Sequence, residues 1–498
     1  MKKNPYASGG LAVLVGAAMP VLAYAQDFGS SVFSDGGGLL LEPSADPIVQ
    51  QPGVLNAPAG AGGAADGEAQ AADQTAQLNQ GIGPLLTFNI STGFTYEDDE
   101  DEPTERFFGT RFNAGIFTDT RNQSFSFNVG AETRIDADDG SELLNPLSRL
   151  TYQIANRSTQ FNADLSYRES DVDDTFLDPD FDGDDLIVDG GTRETQRARL
   201  RLILGRDTRV GLDTRLTYTD VDFSDTIDPD LNPETRIIAE TDLRFSIDRR
   251  LELTLFSLFD QRDEEDAVQT EETDAELGLR ANVLLDRAWT GQFEIAAVRE
   301  DTETTATSVE EDGFRTSAEI TRFMPNGRLA FAASYEDVDD DTVSSFEVSR
   351  AMQLANGAAI SATIGVVSFD GDGVEPLFGF SYAQEILRGQ TISLSLSQTP
   401  GEDDDDNDLI RTLFNVSYDR ALTRNSRLNL NLALAEADEQ VGDDTRAVSF
   451  GVSYAYDLTE EWSLVANATT RRTFEDGADD ERTDEVSIRL ERSFSIRP

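Results

Sequence analysis

The chain contains no cysteine and no histidine. Without cysteine there are no disulfides, no thiolate metal sites and no cysteine nucleophile. Without histidine the commonest general base is missing, and with it the Ser-His-Asp arrangement and the usual zinc and haem ligands. Carboxylate pairs remain, but among so many acids an adjacent pair carries little information, so the chain reads as a non-enzyme. Positive charge is also scarce: Lys+Arg 40 stand against Asp+Glu 95, a net charge of −55. Such a chain repels nucleic-acid backbones, so no nucleic acid is expected as a partner, and it attracts cations. Beyond the N-terminus no run reaches roughly 18 consecutive apolar residues, which excludes a spanning helix from the rest of the chain.

What is present begins with an export signal. Lys2 and Lys3 precede the apolar stretch GLAVLVGAAMPVLA, and Ala23-Tyr24-Ala25 fits the small-x-small cleavage rule. The expectation is a signal peptide over 1–25, cleaved to leave Gln26 first. Over 26–84 the composition shifts to Gly, Ala, Pro, Gln and Asp, as in GVLNAPAGAGGAADGEAQAADQTAQ, with little to bury. This segment reads as a flexible low-complexity periplasmic leader.

At Leu85 the pattern changes to period two and keeps it to the end. In LLTFNISTGFTY, the residues Leu86, Phe88, Ile90, Phe94 and Tyr96 fall on one face, and Thr87, Asn89, Ser91, Gly93 and Thr95 on the other. The same division recurs in SFSFNVGAETRI, RLNLNLALA, ISLSLS and VSFGVSYAY. No sustained 3.6 period appears, so helices should be few. Long acidic connections such as EDDEDEPTE, DVDDTFLDPDFDGDDLIVDGG and GEDDDDND alternate with short ones such as TDTRNQ, ANRS, IDRR, LDRA, MPNG and LTRN. Reading strands between them gives about 22, with about 18 to 20 as the alternatives.

Strands with one apolar and one polar face, joined alternately by short and long connections, specify a transmembrane β-barrel. Lipid cannot hydrogen-bond a backbone, so a spanning sheet must close and leave no edge. The competing arrangement, a string of exported calcium-binding sandwich domains, should show domain boundaries and no unbroken short/long alternation. Tyr454-Ala455-Tyr456-Asp457-Leu458-Thr459 followed by Trp462-Ser463-Leu464 gives a strand, short turn, aromatic, strand signature. In this respect the stretch 85–496 resembles Gram-negative outer-membrane porin-like barrels. The resemblance implies an all-β, closed antiparallel barrel over 85–498 in the outer membrane, with short periplasmic turns and long acidic extracellular loops. It implies outer-membrane lipids and lipopolysaccharide as surroundings, with a homo-oligomer as one open arrangement.

The polar face carries charges of both signs: Arg199, Arg201, Arg215, Arg244, Arg280 and Arg489, with Glu132, Asp164, Asp213, Glu240, Asp242, Glu276, Glu294 and Glu319. Lining a lumen, these residues suit small hydrophilic solutes, while the acidic mouth favours cations. The functional expectation is therefore a channel for passive diffusion of small hydrophilic solutes or ions. The alternatives are a barrel exporting a polymer such as polysaccharide, and a surface-binding adhesin barrel with calcium-binding loops. The calcium candidate is DPDFDGDD: Asp178, Asp180, Asp182 and Asp184 match positions one, three, five and seven of a twelve-residue calcium loop, and Asp189 the twelfth. That last position prefers glutamate, and Pro179 stiffens the start of the loop, so the stretch reads first as acidic rim and second as a calcium site. No other cofactor is required.

Overall fold

The computed structural model describes residues 84–99, 104–136, 140–171, 191–206, 208–224, 226, 231–265, 268–338, 341–369, 373–402, 408–439, 445–475 and 481–497. The expected signal peptide, nearly all of the expected leader, and the stretch containing Asp178, Asp180, Asp182, Asp184 and Asp189 lie outside the described residues.

Every regular element among the described residues is a strand. In chain order they are β1 (Leu85–Asp99), β2 (Glu105–Asp119), β3 (Gln123–Asp136), β4 (Gly140–Ala155), β5 (Thr159–Asp171), β6 (Thr192–Leu204), β7 (Val210–Ser224), β8 (Glu234–Ser246), β9 (Leu251–Glu264), β10 (Glu271–Leu284) and β11 (Trp289–Glu303). The second half continues with β12 (Ser308–Met324), β13 (Gly327–Val338), β14 (Asp341–Gln353), β15 (Ala359–Phe369), β16 (Glu375–Leu387), β17 (Gln390–Glu402), β18 (Asp408–Thr423), β19 (Ser426–Glu439), β20 (Thr445–Asp457), β21 (Trp462–Glu475) and β22 (Glu481–Ile496). Each strand pairs antiparallel with its chain neighbours in one 22-stranded sheet. The first and last strands then pair with each other from Leu86↔Ile496 to Asp99↔Thr483. The sheet is a closed barrel with no free edge, which is what a bilayer requires of strands.

Period two decides which side of the wall each residue takes. One face carries exposed apolar side chains such as Phe94, Leu277, Leu279, Ile295 and Ile364, the last 66% exposed. Ion pairs that skip strands identify the other face as concave. Glu132 of β3 meets Arg489 of β22 at 3.2 Å, Arg315 of β12 meets Glu276 of β10 at 3.3 Å, and Arg280 of β10 meets Asp242 of β8 at 3.7 Å. Long side chains from separated strands converge inside a cylinder and diverge outside it, so the charged face is the lumen and the apolar face meets lipid.

The turns and girdles complete the membrane geometry. At the short-turn end, Asp248 accepts the backbone N–H groups of Arg250 and Leu251 at 2.6 and 3.0 Å. Asp286 accepts those of Ala288 and Trp289 at 2.6 and 3.1 Å, and Asn156 those of Ser158 and Thr159 at 2.8 Å each. A short polar side chain thus satisfies the backbone at each tight reversal, the physical basis of the ANRS, IDRR and LDRA signatures. Trp289 and Trp462 stand at this end with Arg322 and Arg492 over their rings, each at 5.3 Å. At the long-loop end, Tyr218 and Tyr335 donate to Asp220 and Asp337 at 2.9 and 3.0 Å, each carboxylate two residues farther out along its strand. Amphipathic rings at both ends of the apolar band mark the two water interfaces.

Candidate functional site: the charged wall of the bore

The concave face of β3 to β13 carries a connected network of guanidinium and carboxylate groups. Arg149 donates to Asp164 at 3.0 Å, and Asp164 stands directly opposite Arg199. Arg201 forks onto Asp213 through Nε and Nη2, with Nη2 at 2.6 Å. Arg215 stands opposite Arg201 in the ladder, donates to Glu240 at 3.2 Å and lies 3.8 Å from Asp213. Farther round, Arg280 joins Glu294 at 2.5 Å, while Arg315 links Glu276 to Glu336 at 3.3 and 2.5 Å. Nearer the short-turn end Arg244 donates to Glu252 at 3.1 Å. Glu319 accepts the Thr321 hydroxyl at 2.5 Å.

The wall changes character between β13 and β20. Over that sector the concave face is held mainly by hydroxyl pairs across neighbouring strands: Ser334 with Ser345, Ser361 with Ser381, and Ser393 with Ser417, each at 2.6 Å. A charged sector therefore faces a largely neutral one across the bore. Charges confined to one side polarise the passage and orient any solute carrying both signs.

Where the barrel closes, the network becomes a clamp. Glu132 on β3 accepts Arg111 of β2 through Nε and Nη2 at 3.0 and 2.7 Å, and pairs ionically with Arg489 of β22 at 3.2 Å. The side chains reach one another by lying over two glycines that face each other on β1 and β2, Gly93 and Gly109. A Cβ at Gly109 would stand 2.7 Å from the Glu132 Oε1, and one at Gly93 would overlap the Ile488 carbonyl oxygen. Beside Glu132 the β3–β4 register shifts. Asn145, with φ 48°, and Pro146 form the irregular stretch on β4. Such a bulge bends the strand locally and re-aims neighbouring side chains.

All ten residues Arg199, Arg201, Arg215, Arg244, Arg280, Glu132, Asp164, Asp213, Glu240 and Glu276 stand on the concave face, distributed over β3, β5, β6, β7, β8 and β10. Arg111, Arg149, Arg315 and Glu336 are further members of the network that the sequence reading did not single out. Continued parity would have found them, since Arg315 shares a face with Glu319 four residues on. A second signal was composition: lysine occurs only at positions 2 and 3, so every cation of the barrel is an arginine. Arginine holds carboxylates with two parallel donors where lysine offers a point charge. Among the described residues no group of three or more acidic side chains is arranged to hold a metal ion.

Comparison with known proteins places the barrel. No family model matches the chain, and no curated protein matches it in sequence. Solved structures do. The chain is similar to the FrpB iron transporter from Neisseria meningitidis, with a TM-score of 0.56 at 7% identity, covering 84% of each chain. It is similar to the ferric-catecholate import receptor Fiu from E. coli K12, with a TM-score of 0.53 at 8% identity, covering 83% of this chain and 82% of that one. It is also similar to the copper transporter OprC, with a TM-score of 0.50 at 10% identity, covering 84% and 81%. The fold is that of the closed antiparallel β-barrels of the Gram-negative outer membrane.

This likeness corrects the expectation of a passive-diffusion channel. The matching structures are named as transporters and import receptors. The physical reason lies in size: barrels of about 16 to 18 strands leave an open aqueous channel, whereas about 22 strands are typical of transporters whose lumen is plugged. The porin-like label holds for the outer-membrane barrel and fails at the level of function. Export of a polymer and a surface-binding adhesin role fall with it, since neither corresponds to what those structures are named for.

Proposed function

We propose that this chain is an outer-membrane import barrel that takes up a metal ion or a metal complex by recognition rather than by open diffusion. The observation that carries the reading is the 22-strand closure around a bore whose wall is a paired arginine–carboxylate network over one sector. The supporting likenesses are to proteins named for copper, iron and ferric-catecholate transport. A net charge of −55 favours a metal cation within this class, because an acidic protein concentrates cations around itself.

The network suits recognition for a second reason. Charges already paired along the wall are held in fixed geometry, so a passing solute meets preorganised donors and acceptors. The test is direct titration of the purified, lipid-reconstituted chain with Cu²⁺ and with a ferric catecholate, paired with planar-bilayer recording. Saturable binding of one of them together with an electrically closed barrel supports the reading. Absence of binding combined with a steady ohmic conductance overturns it.

A further inference from the structure

We infer that the periplasmic half of the bore carries an anion site, built on β4 to β7, that takes a small oxyanion such as a di- or tricarboxylate or a phosphate. A cavity of about 340 Å³ opens there, lined among others by Thr151, Asn162, Asp164, Arg199, Arg201 and Arg215. Its place follows from the strands: Arg215 is six positions into β7 and Asp164 six into β5, both counted from the short-turn end. The volume sits at the lower end of small-ligand sites, roughly 300 to 1,000 Å³. A citrate-sized anion fits it.

The charge balance is the first argument. Among the charged residues that line it, Arg199, Arg201 and Arg215 bring three positive charges against the one carboxylate of Asp164. In a chain whose acids outnumber its bases 95 to 40, the sign is reversed here. The ladder also sets Arg201 directly against Arg215, and like charges opposite one another destabilise a sheet unless an anion lies between them. Asp213 serves that purpose for Arg201 at 2.6 Å and lies 3.8 Å from Arg215, whose nearer carboxylate is Glu240 at 3.2 Å on the far side.

Donor chemistry is the second argument. Guanidinium forks match the oxygen geometry of carboxylate and phosphate groups. Asn162 accepts Gln160 through its Oδ1 at 3.3 Å, so its amide N–H groups are what it can offer a ligand.

The inference does not depend on the metal-import reading, and the two fail separately. The experiment titrates citrate and inorganic phosphate into the full chain in detergent, at low ionic strength, by calorimetry. The unmodified chain should bind at least one of them, with affinity falling as salt is added. Citrate alone marks a multi-carboxylate site, and phosphate alone a single tetrahedral oxyanion; either supports the site. Arg199→Gln should weaken binding at least tenfold. Asp164→Asn, which removes a lining carboxylate, should tighten it severalfold. The opposite signs keep the test decisive even where one variant folds poorly. Binding of neither anion, or equal binding by Arg199→Gln and the unmodified chain, overturns the inference. Metal uptake without anion binding leaves import standing and removes this site.

Discussion

Replacing Glu132 by glutamine should loosen the closure of the barrel more than any other single neutralisation on its concave face. The carboxylate side chain is 7% exposed, accepts two guanidinium N–H bonds from Arg111 and forms an ion pair with Arg489 at 3.2 Å. Breaking a buried pair by removing one partner costs about 3–5 kcal/mol, because the other charge stays behind without compensation. Arg111 is 32% exposed and partly resolvates, whereas Arg489 is 16% exposed and does not. The expected loss is therefore near the lower limit, about 3 kcal/mol, or roughly a hundredfold in the folding equilibrium. Urea unfolding in lipid vesicles measures it, with Trp462 of β21 as a fluorescent reporter beside the closing strand β22. A control, Glu319→Gln, removes a carboxylate that accepts the Thr321 hydroxyl and should cost about 1 kcal/mol. If Glu132→Gln shifts stability by less than about 0.5 kcal/mol, or no more than the control, the clamp is not what secures the closure.

Two further perturbations test the same geometry. Gly93→Ala should destabilise the barrel more than Gly109→Ala, because a methyl at Gly93 meets the Ile488 backbone carbonyl while one at Gly109 meets the movable end of Glu132. Comparing the temperatures at which the two variants lose their compact gel migration checks the order, and the reverse order contradicts it. Ile364→Arg places a charge midway along the lipid-facing side of β15 and should cost about 2–4 kcal/mol in vesicle unfolding. A neutral result there means that this face does not meet lipid.

Much of the architecture was legible because its cause is local. Period two in LLTFNISTGFTY and RLNLNLALA sets one face to lipid and the other to the bore, and Asx and Thr residues at the short turns mark each reversal. The strand number followed from counting those reversals. The bore was less legible, since its organisation depends on contacts between strands far apart in the chain. Nothing in the neighbourhood of Glu132 announces Arg489, and the glycines beneath them read as ordinary polar-face positions until β1 and β22 are joined. The charged and neutral sectors were likewise invisible, because each strand alone shows only that one face is polar. The expectation of passive diffusion failed for a different cause: what fills a bore of about 22 strands is not written in the period-two pattern, and the similar solved structures are named as transporters and import receptors.

The central claim, import by recognition, is tested most directly by the concentration dependence of uptake. Cells carrying or lacking this chain are given radiolabelled copper or a labelled ferric catecholate over a range of concentrations, with unlabelled competitor in a parallel set. Import by recognition requires uptake that depends on the chain, saturates with concentration and is suppressed by competitor. Uptake that rises linearly without saturation and ignores competitor, accompanied by entry of unrelated small solutes, would contradict it.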